Sequence, residues 1–160
     1  MRYRVGVQDP LAMNPLRAVT TVAVALVVLG AFDLALGLAL SGVALFTTTL
    51  PPEIPWESLP VEPRAAVVVF GPLLVLAGAL KVAAGIRNYG CRDRRLGILA
   101  LASCAFSMSN GVCCLPAAAL LVCGIAVYVR PEVDRAFRMG AQGLSREWIE
   151  ASLANRRTSS

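Results

Sequence analysis

Three long apolar stretches, 18–46, 65–86 and 96–129, make up more than half of this 160-residue chain, and arginines cluster at their ends. An apolar run of about 18 residues or more can cross the hydrocarbon core of a bilayer as a helix. The pattern predicts an all-α integral membrane protein. Hydrophobic residues are 57% of the chain and mean hydropathy is +0.67, above the apolar share of a soluble domain. With most apolar side chains facing lipid, 160 residues leave room for one membrane domain and no second folded unit.

The net charge of +5 does not point to nucleic acid, because the basic residues flank apolar spans instead of forming a stripe interleaved with aromatics. That placement is the pattern of orientation signals and of contact with anionic lipid. Histidine is absent, which removes the commonest metal ligand and general base. No catalytic, cofactor or metal motif stands out, so a non-enzyme without cofactors is expected. The bias toward arginine, alanine, valine, leucine and glycine suggests a GC-rich bacterial genome.

Residues 1–17 form a polar N-terminal segment, and Asn14-Pro15 is a helix-start signal for a first span over 18–46. A cleaved signal peptide would need an apolar region of only about 7–15 residues, shorter than this one. Segment 47–64 holds five prolines, which exclude a continuous helix, and Trp56 suits a loop lying on the membrane surface. A second span is expected over 65–87, kinked at Gly71-Pro72. The stretch 96–129 would be about 51 Å long as one helix at 1.5 Å per residue, too long for a core of about 30 Å. Asn110-Gly111 is a turn signal and Pro116 suits the first turn of a helix. Two short spans, 93–110 and 114–131, are therefore expected as a hairpin, with a re-entrant hairpin as the alternative. In the tail, 132–160, Ser145 can cap an amphipathic helix over about 145–156, with Leu144 and Ile149 placed as a hydrophobic staple. Leu144, Trp148, Ile149 and Leu153 are its docking candidates, toward a bilayer or a partner. Pro131 either ends the fourth span or starts a further surface helix.

Arginine counts set the topology. The head has three, the 87–95 loop four and the 130–160 tail six, whereas 47–64 has one and 110–113 none. Cytoplasmic loops collect Lys and Arg. A four-helix bundle in a bacterial inner membrane, multi-pass with both termini cytoplasmic and 47–64 outside, accounts for the alternation.

Two charges fall inside the apolar runs. A lone carboxylate at the bilayer centre is costly, so Asp33 must be paired, neutralised or open to a wet cavity. Lys81 can either snorkel to the cytoplasmic interface or pair with Asp33. Gly71, Gly78 and Gly85 recur every seven residues, and Lys81 shares their face; Asp33 shares a face with Gly30, Gly37 and Ser41. Small residues let helix backbones approach closely, so these faces are expected to pack together and carry an intramembrane ion pair. Ser103, Ser107 and Asn110 form a polar stripe suited to interhelical bonding or, with Asp33, to a hydrated path.

Five cysteines include no C-x-x-C, which disfavours a membrane thiol oxidoreductase; most read as small buried hydrophobes. Cys91, beside arginines, is a candidate for a lowered pKa, though a plain free thiol is the simpler reading. The expected function is an accessory, assembly or structural subunit, with the lipid bilayer and other membrane subunits or further copies of itself as partners and no nucleic acid. The alternative is a small proton- or cation-coupled transporter, or an ion-conducting oligomer, using Asp33.

Overall fold

Asn14 caps the first helix: its side-chain oxygen accepts the Leu16 amide at 3.2 Å and its carbonyl accepts the Ala18 amide at 3.1 Å, with Pro15 in the first helical position. The computed structural model describes residues 14–49, 61–108 and 114–158, and these fold into six helices with no strand. Helix α1 (Pro15–Thr49) has 35 residues and α2 (Val61–Tyr89) has 29. Within them, Pro15–Phe46 and Val67–Tyr89 are long and apolar enough to cross a membrane. The second helix continues through Pro72 without a break in its helical assignment.

The next two helices are much shorter. Helix α3 (Arg94–Ser107) has 14 residues and α4 (Cys114–Tyr128) has 15. At 1.5 Å per residue they measure about 21 and 22 Å, against a hydrocarbon core of about 30 Å. Asp93 caps α3, accepting the Leu96 amide at 3.1 Å. Helices α1 and α2 pack side by side as a long hairpin, and α3 and α4 pack against one part of it. Buried residues on α1 run from Pro15 to Gly37, whereas Leu38, Val43, Leu45 and Phe46 are exposed. Val68, Val69, Leu73 and Leu76 of α2 are exposed as well, so the far part of both helices presents apolar side chains at the surface.

After α4 the chain turns through 78° into α5 (Pro131–Ala141), with Pro131 in its first turn. Of the two roles open to Pro131, the chain uses helix initiation. Gly143, at φ 82°, closes α5, and the Leu144 amide reaches back to the Met139 carbonyl at 3.3 Å. Helix α6 (Arg146–Thr158) follows at once, with Ser145 Oγ accepting the Trp148 amide at 3.4 Å. Residues 50–60, which include Trp56, residues 109–113, and residues 1–13 and 159–160 lie outside the described residues.

Candidate functional site

Gly30, Gly37, Gly71, Gly78 and Gly85 are all buried along the seam between α1 and α2. A β-carbon added at Gly78 would stand 2.6 Å from the Gly30 carbonyl oxygen and 2.7 Å from the Leu34 amide. One added at Gly37 would meet the Val75 amide at 2.7 Å, and one at Gly71 the Ser41 hydroxyl at 2.7 Å. These backbones are in direct contact. Any side chain at these positions would push the helices apart.

The close seam brings the two intramembrane charges together. Lys81 Nζ lies 2.5 Å from Asp33 Oδ2, and both side chains are 0% exposed. The lysine therefore turns inward and does not snorkel to the surface. Ser107, at the end of α3, completes a triangle: Lys81 donates to its hydroxyl at 2.5 Å and that hydroxyl donates to Asp33 Oδ2 at 2.8 Å. Asp33 Oδ1 and Ser41 Oγ are buried without a hydrogen-bond partner. Of the other two members of the polar stripe, the described one, Ser103, does not join. Ser103 donates to the Ala100 carbonyl of its own helix at 2.7 Å, and Asn110 lies outside the described residues.

A second polar cluster, absent from the sequence reading, ties the arginine-rich end together. Asn88, fully buried, donates to the Tyr128 hydroxyl at 2.7 Å. Arg94 donates to the Tyr128 carbonyl at 2.8 Å and pairs with Asp134 of α5, which also accepts from Arg138 at 2.9 Å. The signal for Asn88 was its position seven residues beyond Lys81, one heptad further along the same face. Nothing comparable marks Arg94 or Asp134, whose meeting depends on the 78° turn after α4.

The tail's apolar face is turned inward. Ile149 is 0% exposed, and Leu144 and Leu153 pack against the same core, whereas Trp148 is 56% exposed. The helix is held by Arg146, which donates to the Tyr89 carbonyl at 3.3 Å and to Thr20 Oγ1 at 2.6 Å and stacks over the Tyr89 ring. Asn14 adds a bond to Glu150 at 3.2 Å. Three of the four docking candidates are thus engaged within the chain, leaving Trp148 facing out. An isolated amphipathic face finds its own bundle first because the loop from α5 is only four residues long.

Cys91 is 2% exposed and adopts φ 54°, with its amide bonded to the Asn88 carbonyl at 3.0 Å in the turn that ends α2. Burial pushes its thiol above the ordinary range, and nearby Arg146 offsets part of that rise. A lowered pKa at this thiol is therefore not what the fold produces. Cys91, Cys104, Cys114 and Cys123 are all free thiols, and Cys113 lies outside the described residues. Among the described residues no three His, Cys, Asp or Glu side chains gather as a metal site. Comparisons with family models, with curated proteins and with solved structures found no match.

Proposed function

We propose that this chain is a non-enzymatic accessory or assembly subunit of a bacterial inner membrane, packing against other membrane helices or further copies of itself. The main support is the mutual engagement of its two intramembrane charges. Asp33 and Lys81 are buried against each other, and neither lines the large groove on the neighbouring flank of α1. A coupled transporter needs its carboxylate within reach of water, and this one is locked in a helix seam. The exposed apolar side chains of α1 and α2, Leu38, Val68, Val69 and Leu76 among them, supply area for other membrane helices.

The proposed arrangement is a four-helix membrane bundle of unequal members. Helices α1 and α2 span fully, with residues 50–60 outside. Helices α3 and α4 form a hairpin inserted from the arginine-rich side, and both termini are cytoplasmic. The lengths of α3 and α4 and the meeting of Ser107 with Asp33 support a hairpin turning back near mid-membrane.

Affinity purification from native membranes, with identification of what accompanies the chain, tests the function. Stoichiometric membrane partners, or a defined homo-oligomer, are expected. A lone monomer overturns the reading. The second reading, a transporter using Asp33, draws on the buried and unpartnered Asp33 Oδ1. Proton release on substrate addition, lost in Asp33→Asn, would favour it.

A further inference from the structure

An apolar groove of about 1010 Å³ runs along α1 between α4 and α6. Its α1 wall includes the stripe Arg17, Thr21, Val24, Val28 and Phe32, at steps of three or four residues. From Arg17 to Phe32 the stripe covers about 22 Å at helical rise, more than the roughly 15 Å of one leaflet's hydrocarbon. The wall is exposed: Val24 is 51%, Val28 65% and Phe32 46% accessible. Leu120 and Pro116 of α4 form part of the opposite side.

One end of this apolar channel is cationic. Arg17 and Arg146 both line it, and among the described residues neither has a carboxylate within ion-pair distance. Arg146 uses two of its five guanidinium donors on acceptors among the described residues, Tyr89 and Thr20. The adjacent hydroxyl protons are already committed, Thr20 to the Leu16 carbonyl at 2.8 Å and Thr21 to the Arg17 carbonyl at 3.0 Å. The guanidiniums are therefore the donors left for an incoming group, and they favour planar, bidentate oxyanions.

We propose that this groove binds one anionic glycerophospholipid of the cytoplasmic leaflet, its phosphate held by Arg17 and Arg146 and one acyl chain lying along Val24, Val28 and Phe32. A small anion would leave the apolar wall unused, and a zwitterionic lipid would bring its own ammonium up against the two arginines. The inference rests on the membrane reading above.

The test is native mass spectrometry of the detergent-purified chain titrated with phosphatidylglycerol or phosphatidylcholine. Phosphatidylglycerol should bind preferentially and one molecule should persist after detergent removal. Arg17 is exposed and, among the described residues, its guanidinium makes no hydrogen bond, so Arg17→Gln should weaken binding about fivefold, the loss of roughly 1 kcal/mol per arginine near an anionic surface, without disturbing the fold. Val28→Trp should lower the retained adduct by obstructing the acyl-chain track at its middle. Arg135→Gln, an exposed change of the same charge away from the groove, should bind like the parent. Equal binding of the two lipids, an Arg135→Gln loss matching Arg17→Gln, or an unaffected Val28→Trp each overturns the proposal. Recovery of the chain in the aqueous fraction without detergent would instead overturn the membrane reading.

Discussion

Ser107 of α3 donates its hydroxyl proton to the Asp33 carboxylate of α1 at 2.8 Å, on the same oxygen that Lys81 of α2 approaches at 2.5 Å. Residues from three helices, 26 to 74 positions apart in sequence, therefore meet on one atom. Replacing a whole buried ion pair by apolar groups is often neutral, whereas removing one member strands a charge.

Asp33→Asn and Lys81→Met are each expected to destabilise the folded protein by about 3–5 kcal/mol. The double variant should recover a large part of that loss. Thermal unfolding in detergent, read with membrane yield, measures both. Singles matching the parent would show that the pair carries no structural weight. Ser107→Ala should cost less, about 0.6 kcal/mol by the average of interhelical hydrogen bonds in membranes.

Two glycines of α1 and α2 should respond in opposite directions. A β-carbon at Gly78 meets backbone at 2.6 Å, whereas one at Gly42 meets nothing within 4 Å. Gly78→Ala should destabilise by about 1–3 kcal/mol through overpacking. Gly42→Ala should be neutral or stabilising, up to about 1 kcal/mol from helix propensity. Equal responses would mean that the seam is not closely packed.

Tyr128→Phe should leave the buried Asn88 amide without its acceptor, at a cost of about 1–3 kcal/mol. Exchange protection around α2's last turn and α4's end should fall together, since one bond joins them. An unchanged exchange pattern would show that the bond does not couple the two helices.

Cys91 should react slowly with alkylating reagents while the protein is folded. Burial raises its thiol above the ordinary value of 9.0, so the folded state holds its proton where the unfolded state has lost it. The sign follows: this group lowers folding stability as pH rises through and above that ordinary thiol value. A variant keeping Cys91 alone, alkylated before and after denaturation across pH 7–10, measures it. Rapid reaction of the folded form at neutral pH would contradict the burial.

The depth of the α3–α4 hairpin is open to direct measurement. A variant retaining only Cys113 and Cys114 should resist membrane-impermeant thiol reagents added from the outside of intact cells. Rapid labelling from that side would establish two full spans in place of a hairpin that turns back.

Much of this architecture is visible in the chain because membrane helices announce themselves by length and composition. The heptad of Gly71, Gly78 and Gly85 also defines a face before any coordinates exist, and Lys81 falls on it by arithmetic alone. What sequence periodicity lacks is depth and direction. It left Lys81 free to point up or down, since a four-carbon stem reaches either way; the choice depends on Asp33 and Ser107 lying across the seam. Helix α4 ends at Tyr128, short of the expected 131, because Pro131 opens α5 after the 78° turn, whereas the expected end of α3 at 110 lies outside the described residues. Helix α5 was legible only as an option at Pro131. The tail's docking face was assigned by amphipathicity, which cannot distinguish a foreign surface from the chain's own core. Arg94 and Asp134 meet through a corner that no local pattern encodes.

The short hairpin has a geometric consequence for the surrounding lipid. In the proposed orientation, the body is four rods thick at the cytoplasmic leaflet and two rods thick at the other. It is a wedge, displacing more lipid from one monolayer than from its opposite. A wedge fits a curved sheet with less strain than a flat one, so the lateral position of this chain should depend on local bilayer curvature.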